Sequence, residues 1–177
     1  MDRRKATSLA IALGIILIGV AIRWYRNLDP IPGYSNKGEI VLREPGTEHS
    51  HSSMLLFIDG IAFDFSQPQF QLQSDHVHFE DGDGIAVHKH AEGVTLPLLF
   101  RSLGMELSSD CLTMADKTRY CTEGKKVLTQ YLNRKQFVDW DNYELQWNDK
   151  ILIDYGETSE MDLALRLNAV PDLPEDL

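Results

Sequence analysis

All six histidines of this chain occur in three His-x-His pairs between residues 49 and 90. Side chains alternate across a β-strand, so the two histidines of each pair would share one face of a strand. Imidazole-rich sites without thiolate suit zinc, copper(II) or nickel. The pattern therefore predicts a transition-metal site, and outside the cytoplasm copper and zinc are the natural candidates. The predicted ligands are His76, His78, His88 and His90, with His49 and His51 as additional candidates.

A Gly-Asp-Gly sequence at residues 82–84 separates two of the pairs and predicts a β-hairpin, because glycine readily takes the left-handed conformation of tight turns. Directly opposed side chains in a hairpin lie close enough for several imidazoles to share one ion. The expected register forms a square of four imidazoles, with His78 opposite His88 and His76 opposite His90. The remaining pair precedes the first predicted strand and is expected to complete or shield this site.

Two other interpretations of the histidines stay open. In the first, they form a polar strand face whose imidazoles hydrogen-bond to one another or to solvent, with no metal. In the second, the protein is a metal-dependent hydrolase, which requires an open coordination position and a general base such as Glu80 or Glu92. No serine, cysteine or lysine lies in a recognisable nucleophile motif, so we expect no enzyme.

Residues 6–25 form an apolar run with no acidic residue, close to the roughly 20 residues that a helix needs to cross a bilayer. We predict a transmembrane anchor in contact with the lipid bilayer. The basic residues at 3–5 favour a cytoplasmic N-terminus and an extracytoplasmic remainder, which makes a single-pass protein of the cell membrane. The alternative is a cleaved signal peptide, for which residues 19–21 offer small side chains. Both alternatives export the domain.

The charge balance excludes one class of partner. Residues 27–177 hold 12 of the 17 basic and 26 of the 27 acidic residues, a net charge of −14. This charge argues against nucleic acid as a partner and is compatible with attracting cations. The only two cysteines, Cys111 and Cys121, lie on adjacent strand-like segments of an exported domain, which predicts a disulfide. Their spacing is not the Cys-x-x-Cys of a thiol oxidoreductase.

The rest of the chain divides by composition. We predict a cytoplasmic N-terminus and anchor at residues 1–26, a Pro- and Gly-rich linker at 27–47, a folded domain at 48–156, and a short helix with an acidic tail at 157–177. A helix is predicted from Thr95 by apolar residues at helical spacing. The tail is expected to lie outside the core, either as a docking segment for other subunits of a membrane complex or as a frayed terminus.

The order of these elements, a strand hairpin, one amphipathic helix and then further strands, resembles the β-grasp or ubiquitin-like architecture. The sequences at residues 63–68, 76–84, 88–95 and 151–156 resemble a group of membrane-anchored, exported and largely uncharacterised proteins found mostly in archaea. The resemblance implies an α+β fold, with an N-terminal transmembrane helix followed by a small mixed-sheet β-grasp-like domain that has one main helix. It implies no activity.

These observations together predict a membrane-anchored, extracytoplasmic metal-binding protein. Its role would be capture or delivery of copper or zinc, or service as an accessory subunit of a membrane metalloenzyme complex. The alternative function is a non-catalytic structural or interaction subunit of a multi-protein membrane assembly without metal, held through its transmembrane helix and C-terminal tail.

Overall fold

A computed structural model describes residues 40–174. These residues form ten strands: β1 (Ser50–Ile58), β2 (Ile61–Ala62), β3 (Val77–His78), β4 (Ala86–Lys89), β5 (Glu106–Leu107), β6 (Cys111–Thr113), β7 (Arg119–Cys121), β8 (Val127–Leu132), β9 (Lys135–Gln136) and β10 (Lys150–Gly156). The two α-helices are α1 (Leu96–Ser102) and α2 (Glu160–Ala169), and short 3-10 turns lie at Pro68–Phe70 and Trp140–Asn142.

Seven strands make the main sheet in the order β3-β4-β1-β10-β8-β9, with β2 also paired to β1. The central strands β1 and β10 are parallel, and their apolar residues lie side by side, with Met54 next to Ile151 and Leu56 next to Ile153. The pairings on either side, β1 with β4 and β10 with β8, are antiparallel. The first and last strands in sequence, β1 and β10, therefore meet at the centre of the domain.

Alternation along β1 gives the main sheet two distinct faces. Met54 and Leu56 are buried in the hydrophobic core, together with Leu96, Leu99 and Phe100 of α1. This confirms the helix predicted after Thr95, which packs its apolar stripe on what we call the inner face of the sheet. The odd-numbered residues of β1 point to the opposite, outer face.

The outer face is partly covered by α2 and the residues after it. The Arg166 guanidinium pairs with the buried carboxylate of Asp154 and lies 5.0 Å from the centre of the Phe57 ring. Past the helix, Val170 is only 4% exposed, and the Ser53 hydroxyl donates a 2.8 Å hydrogen bond to the Pro171 carbonyl. Contrary to expectation, this part of the tail packs against the sheet.

The second sheet has three strands, β5-β6-β7, and carries the disulfide. Cys111 and Cys121 are directly opposed on β6 and β7 and are bonded to each other, which confirms the predicted cysteine pair.

The predicted fold class is wrong. The described residues are mostly sheet, divided between a seven-stranded and a three-stranded sheet, with two short helices. The error has a physical source: residues 106–121 close on themselves around the disulfide as a separate sheet, and element order alone does not reveal this. Within residues 40–174 no helix has the length and apolar character to span a membrane. The predicted transmembrane segment, residues 6–25, lies outside the described residues.

Candidate metal centre

The three His-x-His pairs come together on neighbouring strands of the main sheet. His51 on β1 pairs with His88 on β4, which in turn pairs with His78 on β3. The same registers, extended by two residues, align the other three histidines into a second row, in which His90 donates a 2.8 Å backbone hydrogen bond to His76. We call the six residues the histidine array. The predicted pairing of His78 with His88 is confirmed.

Within the array, three histidines are close enough to hold a metal ion. A ring nitrogen from each of His49, His51 and His88 lies within 4.8 Å of the other two. The ring centres of His51 and His88 are 4.5 Å apart, and those of His49 and His51 are 4.8 Å apart. We call these three residues the metal triad. Two of its members, His49 and His51, are the histidines predicted only as additional candidates, and the third, His88, belongs to the predicted hairpin.

The other three histidines have different surroundings. Both nitrogens of His78 are engaged, Nδ1 at 2.6 Å from the Ser74 carbonyl oxygen and Nε2 at 3.2 Å from the Glu80 carboxylate. His90 stacks on a triad member, with its ring centre 4.8 Å from that of His49. Among residues 40–174, the ring pairs within the array join the other five imidazoles and do not include His76.

His51 is the most informative member of the triad. It is 3% exposed, and neither of its ring nitrogens has a hydrogen-bond partner among the described residues. Leaving a buried polar group unpaired costs about 1–3 kcal/mol. The Trp147 ring, whose centre is 5.5 Å away, covers one side of the imidazole. A metal ion would satisfy one of these nitrogens at a position that protein atoms leave unpaired.

Burial favours the neutral form of three imidazoles of the array. Burial, and after it the neighbouring His88, lowers the pKa of His51 from 6.5 to about 4. Burial is also the main cause of the lowered pKa values of His88 and His90. A histidine binds metal through the lone pair of its neutral form, so these shifts favour ligation at neutral pH.

Glu80 lies against the array and is its acidic neighbour. Its carboxylate is 3.2 Å from His78 Nε2 and 3.1 Å from His88 Nδ1, although the second contact lacks hydrogen-bond geometry. Burial alone would raise the pKa of Glu80, but the adjacent His88 and His78 outweigh it and hold the pKa below its usual range. Glu80 therefore supplies negative charge next to a triad histidine. Glu92, the other acid considered from sequence, is exposed.

A buried lysine lies directly behind the array and was not predicted from sequence. Lys89, between two array histidines on β4, points to the inner face and is 2% exposed. Its Nζ lies 2.6 Å from Glu48 and 2.8 Å from Glu144, and it donates a 2.8 Å hydrogen bond to the Leu145 carbonyl. We call this group the lysine clamp. Strand alternation could have revealed it, because Lys89 shares its face with the core residue Val87.

The clamp and the preceding loop hold His49 in place, although His49 lies just outside β1. Glu48, its neighbour in sequence, is bound by Lys89. The Gly46 amide donates a 2.6 Å hydrogen bond to the His90 carbonyl, so this segment runs alongside the end of β4. His49 is thus held beside β4 by these contacts on its N-terminal side and by the pairing of Ser50 with Lys89 on its C-terminal side.

Comparisons of the chain with protein-family models, with curated proteins and with solved structures found no match. The function of the protein is therefore inferred from the geometry of the array itself.

Proposed function

We propose that this protein binds a transition metal ion, copper or zinc, through the metal triad. One observation carries the proposal: His51 is buried with both ring nitrogens unpaired, within ligand distance of two further imidazoles. A polar strand face without metal would place these nitrogens against hydrogen-bonding groups or water, as both nitrogens of His78 are placed against the Ser74 carbonyl and the Glu80 carboxylate.

The biological role that fits this site is metal capture or delivery outside the cytoplasm, or service as an accessory subunit of a membrane metalloenzyme complex. His49 is exposed, so an ion held by the triad would be reachable from solvent. The net charge of −14 over residues 27–177 would attract cations. The cysteine pair and the apolar run at residues 6–25 support an exported, membrane-anchored setting.

The test is metal titration of the purified full-length chain after removal of bound ions with a chelator. Zinc and copper(II) binding would be measured for the wild type, for a variant with His49, His51 and His88 all changed to Ala, and for His76→Ala as the matched control. We expect the wild type and the control to bind a single ion tightly and the triple variant to lose this binding. Equal binding by the triple variant would reject the proposal.

Circular dichroism would check that each variant is folded. His49→Ala provides a second test, because the exposed His49 can be removed with little effect on the core. We expect this single change to weaken binding, and unchanged affinity would count against the triad as the site.

A further inference from the structure

Where β1 lies beside β4, the ring centres of four imidazoles, those of the metal triad and of His90, form a quadrilateral. The distances between ring centres are 4.8 Å from His49 to His51, 4.5 Å from His51 to His88, 6.4 Å from His88 to His90, and 4.8 Å from His90 back to His49. His51 opposes His88 in the strand register, and two residues further along His49 lies beside His90. His90 is therefore the fourth corner of a quadrilateral whose other corners are the triad.

His90 also lies beside His78, with ring centres 4.9 Å apart, but the two histidines differ in how their nitrogens are engaged. His78 is held by Ser74 and Glu80 through both nitrogens, so it can ligate only by breaking those contacts. His90 is half-buried. Its ring stacks on that of the exposed triad member His49, at an interplanar angle of 25°.

The sheet constrains the geometry that four such ligands can adopt. Side chains at neighbouring positions of two strands leave the sheet on the same side. The four nitrogen donors would therefore all approach an ion from the side of the sheet. A tetrahedral ion needs donors distributed around it, whereas a tetragonal ion accepts four nitrogens in a plane and leaves an axial position open. Tetragonal nitrogen sites are typical of copper(II) and nickel(II), and of the two metals in the proposed function, copper and zinc, only copper(II) prefers this geometry.

We propose that His90 is the fourth ligand of this site and that its resident ion is copper(II), held by four imidazoles in a tetragonal arrangement with one face open to solvent. This inference rests on the proposed function and narrows it from copper or zinc to copper(II).

The test is electron paramagnetic resonance of the full-length chain loaded with one equivalent of copper(II), together with copper(II) and zinc affinities. We expect the wild type and His76→Ala to give the spectrum of four equatorial nitrogens. His90→Ala should give three, with copper(II) affinity reduced at least by the roughly 10–100-fold that loss of a supporting residue costs a metal site. Its zinc affinity should change less, since three histidines and a water suffice for zinc.

Pulsed measurements on wild-type protein with 15N-labelled histidine count the equatorial imidazoles without any substitution, so the test does not depend on a variant that folds. A count of three in the wild type, or an unchanged spectrum in His90→Ala, would overturn the inference while leaving metal binding by the triad intact. Absence of metal binding in the wild type would instead reject the proposed function.

Discussion

Removing the charge of the lysine clamp should destabilise the protein, and the burial of Lys89 sets the size of the loss. Lys89 is almost fully buried between two carboxylates, and Lys89→Met keeps the length of the side chain while removing its charge. Removing one partner of a buried ion pair typically costs about 3–5 kcal/mol, because the other partner is left buried and uncompensated. The side chains of Glu48 and Glu144 are still 30% and 27% exposed, so water compensates part of the loss. We therefore expect the lower end, about 3 kcal/mol.

The assay is thermal and chemical unfolding of the metal-free full-length protein. A loss of this size corresponds to a decrease in Tm of about 6–12 °C for a chain of this length. The matched control is Lys126→Met, since Lys126 pairs with Asp59 at 2.7 Å but both side chains are about half exposed. Such an exposed pair contributes little to stability, because water already solvates both charges.

Two further measurements test whether the clamp stabilises the protein through its charges and whether it holds the array. Changing Glu48 and Glu144 to Gln in the Lys89→Met background removes the uncompensated charges, so part of the stability should return. Because Lys89 lies between two array histidines and binds the residue before His49, Lys89→Met should also weaken metal binding. A loss in stability no larger than that of the control, with unchanged metal affinity, would refute the clamp as the element that holds the array.

Three other predictions follow from the site and its surroundings. The metal-free protein should lose at least about 3 kcal/mol of stability as the pH falls from 6.5 to 4, because the unfolded chain takes up a proton at His51 in this window and the folded chain largely does not. The lowered pKa values of His88 and His90 add to the loss, and urea unfolding at a series of pH values measures it. Glu80→Gln should weaken zinc binding about tenfold, as expected for loss of a charged neighbour of a ligand, and is measured by competition titration. Changing Cys111 and Cys121 to Ser should cost about 2–3 kcal/mol, because the bond closes a loop with a sequence separation of 10, yet leave metal affinity unchanged.

Each of these has an outcome that contradicts it. Stability that is flat or rises between pH 6.5 and 4 would mean that His51 is protonated in the folded protein. Zinc binding by Glu80→Gln that matches wild type would show that the carboxylate does not support the triad. If the serine variant lost its metal affinity while remaining folded, the second sheet would have a role in the site that its position does not indicate.

Local alternation was sufficient to predict part of the site. The hairpin that pairs His78 with His88 joins residues close in sequence, and the faces of its strands follow from which residues are apolar. The helix after Thr95 and the cysteine pair were predictable for the same reason, since each depends on residues that are close together in sequence.

The composition of the triad was harder to predict, because it depends on β1 lying beside β4. His51 and His88 are far apart in sequence, and nothing in the local pattern around His49 and His51 specifies which strand becomes their neighbour. The role of Lys89 was hard to predict for a different reason: alternation along β4 places its side chain on the inner face, but its carboxylate partners, Glu48 and Glu144, come from distant parts of the chain. The fold class failed because the chain divides its short strands between two sheets.

Because side chains alternate along β1 and β4, the candidate metal ligands and the core residues lie on opposite faces of the same strands. Met54 and Val87 face the interior, while His51 and His88 project from the other side of the same strands. Exchanging an imidazole on that side for a carboxylate or a thiolate would change the preferred ion without repacking the interior. The domain is in this sense a scaffold on which metal selectivity can be engineered through a handful of outward positions.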